Sequence, residues 1–132
     1  MKKAYIFFLT AFLGIILFNT SKLKANGNQL ADSAVISFTK TTHDYGTIKK
    51  DSDGTCDFTF TNTGKIPLVL SNVQASCGCT SPSWPREPIA PGKTGIIKVK
   101  YNTSNTGGFQ KTITVYSNAK TITLTIKGSV QE

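Results

Sequence analysis

The chain has 132 residues and 39% hydrophobic side chains, which is one domain's worth and enough to bury a core without help from disulfides. Its 15 Lys and Arg against 7 Asp and Glu give a net charge of +8, but Lys2, Lys3, Lys22 and Lys24 fall in an N-terminal targeting pattern, and without them the balance is 11 against 7, or +4. That charge is spread along the chain with no aromatic-basic cluster, so nucleic-acid binding has little support.

Lys2 and Lys3 precede an apolar run from Ala4 to Phe18, and a short polar stretch ends in Leu23-Lys24-Ala25, a small-residue cleavage site before Asn26. The pattern predicts a secretory signal peptide over residues 1–25 and a periplasmic or secreted protein. The alternative is a membrane anchor made by an uncleaved N-terminal segment. The run of 15 residues is short of the roughly 20 needed to cross hydrocarbon, which favours cleavage. No cysteine stands at the cleavage point, which argues against a lipoprotein. Residues 26–34 are polar, small and aperiodic and read as a flexible leader. Within them Asp32-Ser33-Ala34 resembles a short bacterial O-glycosylation acceptor motif, a match too short to carry weight.

From Val35 onward the hydrophobic period is two. Cys56, Phe58 and Phe60 alternate with Thr55, Asp57, Thr59 and Thr61, and Ile122, Leu124 and Ile126 alternate with Thr121, Thr123, Thr125 and Lys127. Half-buried antiparallel strands are expected near residues 35–40, 43–48, 55–62, 68–75, 95–102, 110–117 and 121–130. Asp53-Gly54, Asn62-Thr63-Gly64-Lys65, Pro91-Gly92, Gly107-Gly108 and Asn118-Ala119 supply the turns between them. About seven short strands in residues 35–132 predict an all-β, immunoglobulin-like antiparallel β-sandwich.

His43, in the second strand, is the only histidine and reads as structural or solvated. Cys56 faces inward with Phe58 and Phe60, and a hairpin at residues 62–65 would set it opposite about residue 72, so it reads as a buried free thiol. Three readings stand for Cys77-Gly78-Cys79: a disulfide, half of a soft-metal site for Cu(I) or Zn(II), or two packed free thiols. In an extended strand their α-carbons would stand about 6.6 Å apart, so a bridge needs Gly78 to tighten the backbone. Further metal ligands are scarce, and no cofactor is called for. Ser81 to Pro88 carries three prolines, which predict an extended, non-pairing path holding Trp84 and Arg86. Trp84 reads as a lid on the sandwich or, with Arg86, as a protein-contact spot. Gly92-Lys93-Thr94 looks like the end of a phosphate-binding loop but lacks its first glycine and its helix, and reads as a turn. No serine has a nucleophile-elbow context, and the carboxylates are scattered, so the chain reads as non-catalytic.

Ser76-Cys77-Gly78-Cys79-Thr80, the turn Ile89-Ala90-Pro91-Gly92-Lys93, the run Gly95 to Tyr101, Thr106 to Lys111 and the strand Ile113 to Asn118, in that order, resemble the bacterial family called domain of unknown function 1573. The resemblance covers roughly residues 36–130. It implies an immunoglobulin-like domain related in shape to Hydin-type and major-sperm-protein modules, and it implies no activity. The expectation is a non-catalytic binding or structural module of the bacterial envelope, with another envelope protein or a surface polymer as partner. The alternative is an extracytoplasmic thiol-redox or soft-metal protein centred on Cys77 and Cys79.

Overall fold

A computed structural model describes residues 32–132; the signal-peptide segment and the start of the leader lie outside them. Eight strands form two four-stranded sheets packed face to face. They are β1 (Ile36–Phe38), β2 (Thr42–Lys49), β3 (Thr55–Asn62), β4 (Leu70–Ala75), β5 (Thr80–Ser83), β6 (Thr94–Tyr101), β7 (Gly107–Ser117) and β8 (Ile122–Gln131). One sheet has the order β1-β3-β6-β5 and the other β2-β8-β7-β4. The period-two pattern explains the layering. Phe58, Phe60, Ile97, Val99, Ile113, Val115, Leu124 and Ile126, all from the apolar phase, are fully buried between the sheets.

Five expectations are corrected. The prolines do not stop pairing, because β5 is an eighth strand whose residues Thr80 to Ser83 pair with Tyr101 to Lys98 of β6. Pro82 is tolerated there because β5 is an edge strand, where an absent N–H is not missed. The turn at residues 62–65 does not fold β3 onto β4. It carries the chain to the other sheet, and β3 pairs instead with β1 and β6, setting Cys56 opposite Val99. The sandwich is not wholly antiparallel, since β2 runs parallel to β8. Gly107 and Gly108 open β7 rather than forming a turn, with Gly107 in the left-handed region at φ 108°. The end of the expected leader is held against the fold: Ala34 is buried, and the Ser33 carbonyl accepts the Lys65 N–H at 2.9 Å.

Each end of the sandwich is organised differently. At one end Asn62 is fully buried and all its capacity is used: Nδ2 donates to the carbonyls of Ile66 and Ile89 at 2.8 and 2.9 Å, while Oδ1 accepts from Gly64 N at 3.0 Å and Val35 N at 3.4 Å. The turn Ala90-Pro91-Gly92-Lys93 closes beside it, with Gly92 at φ 78° and its N–H donating to the Asn62 carbonyl at 2.7 Å. A side chain at Gly64 would run into the Ser33 and Val35 backbone, so the leader can cross only over a glycine.

At the other end an aromatic group fills the space between the sheets. Tyr101 and Phe109 stack at 3.7 Å, Tyr45 packs on Phe109 at 5.7 Å, and the Tyr45 hydroxyl donates to the Gly54 carbonyl at 2.6 Å. Burial, and the neighbouring Cys56, push the Tyr45 hydroxyl well above the ordinary tyrosine value. Cys56 is buried and free, and burial raises its thiol as well, which leaves it with little thiolate and little reactivity.

Candidate functional site

The Cys77-Gly78-Cys79 motif forms the crossover from β4, the edge of one sheet, to β5, the edge of the other. The chain must reverse from one layer to the next within four residues, and it does so by folding the motif into a tight turn. That turn brings the two α-carbons to 5.3 Å, closer than an extended strand allows, and Cys77 and Cys79 are joined by a disulfide. Hydrogen bonds fix the turn on both flanks. Ser76 N donates to the Thr112 carbonyl at 2.9 Å on the β7 side, and Asn102 N donates to the Cys79 carbonyl at 2.8 Å on the β6 side.

Immediately after the motif Thr80 is 4% exposed, and its hydroxyl lies 3.6 Å from the Cys77 sulfur and 3.9 Å from the Cys79 sulfur. The two cysteines are half-buried, while Gly78 is exposed with open space where a side chain would stand. Gly78 and Cys79 form one wall of an open cleft of about 510 Å³ at this end of the sandwich. The β2–β3 loop supplies Asp51 and Ser52 to it, and Lys100 and Ser104 come from β6 and the β6–β7 loop. A cleft of this size is in the range of small-ligand sites, but its lining of hydroxyls, amides and one charge of each sign is polar. Asp51 holds a left-handed backbone, φ 59°, at the loop tip.

Trp84 follows β5 directly, is half-buried and packs against the core, with its Nε1 buried and without a hydrogen-bond partner among the described residues. The exposed Arg86 places its guanidinium over the Trp84 ring at 3.9 Å from the centroid. Trp84 is therefore a lid over the core, and Arg86 covers the lid's outer face.

His43 is not near the cysteines. It sits on β2, at the opposite edge of the sheet from β4, where it meets the Tyr45 ring edge-on at 4.5 Å and its Nδ1 accepts from Lys40 Nζ at 2.9 Å. Burial first, and then the Lys40 charge, lower its pKa below the ordinary histidine value. No Cys–His pair is assembled, and among the described residues no cluster of three or more His, Cys, Asp or Glu could hold a metal ion. Sequence reasoning gave no role to two residues of this end, Thr80 and Lys100. Thr80 adjoins the motif but reads as an ordinary strand residue, and Lys100 comes to the cleft only through the pairing of β5 with β6.

Among solved structures, a protein of unknown function from Porphyromonas gingivalis W83 is similar at 18% identity and a TM-score of 0.66, over 75% of this chain and 48% of that one. The chain thus spans about half the length of that protein. The seventh PapD-like (ASH) domain of human CEP192 is similar at 8% identity and a TM-score of 0.65, over 76% and 88% of the two chains. The complex of the chaperone CsuC with the tip adhesion subunit CsuE, from Acinetobacter baumannii, is similar at 11% identity and a TM-score of 0.51, over 75% and 57%. At such identities the likeness is one of fold alone. No curated protein is similar to the chain in sequence. The sequence of residues 36–130 matches the family described as "Protein of unknown function (DUF1573)", with the sandwich that the resemblance implied, and the chain belongs to that family.

Proposed function

We propose that the chain is an exported, non-catalytic binding module of the bacterial envelope whose partner is another envelope protein or a surface polymer. The observation that carries this reading is the open polar cleft, held by three loops on a rigid two-sheet scaffold and fixed on one wall by a disulfide. A disulfide in so small a domain suits an oxidising compartment, in agreement with the apolar run after Lys2 and Lys3. Sandwiches of this fold include the YadV chaperone and a chain of the pre-assembly complex between the chaperone CsuC and the tip adhesion subunit CsuE. The stacked Trp84 and Arg86 pair adds an aromatic-cation surface of the kind that protein contacts favour.

The test is co-purification of a tagged chain from its native host, with Ser81→Arg, on the β5 side of the cleft lining, filling the cleft and Arg86→Glu reversing the exposed charge. A partner enriched by the unaltered chain and reduced at least about tenfold, or about 1.4 kcal/mol, by either variant supports the reading. Equal recovery with all three chains overturns it. Sequencing the N-terminus of the envelope-derived protein checks export, with a start at or next to Asn26 expected.

A further inference from the structure

We propose that the Cys77–Cys79 bridge is a thiol–disulfide exchange site whose co-reactant is a dithiol of another exported protein, admitted through the cleft. This adds a one-for-one exchange at the bridge to a module that is otherwise non-catalytic; it goes beyond the binding reading and does not depend on it.

Three observations point the same way. First, the bridge does little as a staple. It closes a loop of one intervening residue, and both flanks are already tied by the Ser76–Thr112 and Cys79–Asn102 backbone hydrogen bonds. Second, the bridge is reachable. Cys79 and Gly78 line the open cleft, Cys77 does not, and nothing lies within 4 Å of where a Gly78 side chain would stand. A sulfur that enters through the cleft therefore meets Cys79 rather than Cys77, at the side of Cys79 not packed against the core. Third, a buried donor stands against both sulfurs. Among the described residues the Thr80 hydroxyl has the two sulfurs as its hydrogen-bond partners, with Cys77 the closer at 3.6 Å. A disulfide sulfur is a weak acceptor, so this hydroxyl gains little in the oxidised protein. A thiolate is a strong acceptor, so the same hydroxyl gains most once the bridge opens and charge collects on Cys77.

One cation is placed to help: Lys100 stands on the cleft wall, where its charge attracts an approaching thiolate.

The exchange balances as follows. A thiolate of the partner attacks the Cys79 sulfur; the S–S bond breaks, and its electron pair leaves on the Cys77 sulfur, which accepts a hydrogen bond from Thr80. The partner's second thiolate then attacks the partner sulfur of the mixed disulfide, and Cys79 departs as a thiolate. The partner's dithiol loses two electrons and its two protons and becomes a disulfide, while Cys77 and Cys79 gain two electrons and take two protons from water. Thr80 is a positioning residue in this scheme, acting on the leaving sulfur and bonding to no reactant.

The test uses the purified folded protein in graded ratios of reduced to oxidised dithiothreitol at neutral pH, with acid quenching, alkylation and mass mapping of each cysteine, and Trp84 fluorescence reporting the fold. Cys77 and Cys79 are expected to open together while the fold persists. Thr80→Val should demand a ratio at least about tenfold more reducing, and Thr80→Ser should stay within about threefold of the unaltered chain. With a small aromatic disulfide probe, the single thiol of Cys77→Ser should form a mixed disulfide at least about tenfold faster than that of Cys79→Ser, because only Cys79 faces the cleft. Opening that occurs only on unfolding, an unmoved Thr80→Val, or equal rates for the two single thiols would each overturn the proposal. No partner enters these measurements, so their failure leaves the binding reading standing, and a failed co-purification leaves this one standing.

Discussion

The two ends of this sandwich solve the same problem, that of turning a chain between layers, with opposite means. At the Asn62 end a buried amide makes four backbone hydrogen bonds, accepting from the Val35 and Gly64 N–H groups and donating to the Ile66 and Ile89 carbonyls, and leaves nothing for a visitor. At the Cys77–Cys79 end the crossover is held covalently, and the polar groups around it face an open cleft. The first arrangement is saturated and serves the fold. The second leaves hydrogen-bonding capacity and a reactive bond at the surface, and that is where function is to be sought.

The sharpest way to break this contrast is to remove the saturated hub. Asn62→Ala strips partners from two N–H groups and two carbonyls and is expected to cost about 3 to 5 kcal/mol, read from urea unfolding at constant m-value. A loss under 1 kcal/mol would show that water replaces the amide, and that this end is no more closed than the other. Next comes a matched pair of glycines. Gly64→Ala drives a methyl group into the Ser33 and Val35 backbone and should cost about 2 to 4 kcal/mol, whereas Gly78→Ala meets open space and should change stability by about 0.5 kcal/mol or less. Equal costs would erase the distinction between the ends.

Changing both Cys77 and Cys79 to serine should lower stability by only about 1 to 3 kcal/mol, since the loop they close is so short. A larger loss would make the bridge a structural staple. The smallest effect is electrostatic and belongs to the open end. The Asp53 carboxylate accepts from Thr55, whose hydrogen bonds first, and then the Lys100 and Lys98 charges, hold its pKa below the usual aspartate value. A carboxylate with a depressed folded pKa contributes stability above its unfolded pKa, near 4, and loses it as pH falls through the folded value. Asp53→Asn should therefore flatten the acid limb of a melting-temperature profile below about pH 4 and leave the neutral region nearly unchanged. An unaltered acid limb would assign that limb to other carboxylates.

Much of the fold was legible in the residues because an alternating face must be buried. Phe58, Phe60, Leu124 and Ile126 declared the core by their spacing alone. What could not be read was whatever depends on which strands are neighbours. Pro82 looked like a breaker because a local rule cannot tell an edge position from a central one. Asn62 looked like a turn residue because its four partners are spread from Val35 to Ile89. The parallel course of β2 along β8 joins residues some eighty positions apart, and neither strand's pattern states the direction of its partner. The disulfide motif stood out at once with Thr80 next to it, but Lys100 became visible as its companion only when β5 was laid against β6.

The parallel pairing of β2 with β8 has a mechanical meaning. The chain enters the sandwich at the Asn62 end, where Ser33 is held by Lys65, and leaves it at the cleft end, where Gln131 is held by Lys50. A pull applied to the two ends in opposite directions therefore runs along the β2–β8 ladder and loads its hydrogen bonds together in shear, instead of opening them one after another like a zip. The whole ladder, and not one bond at a time, therefore stands against such a pull.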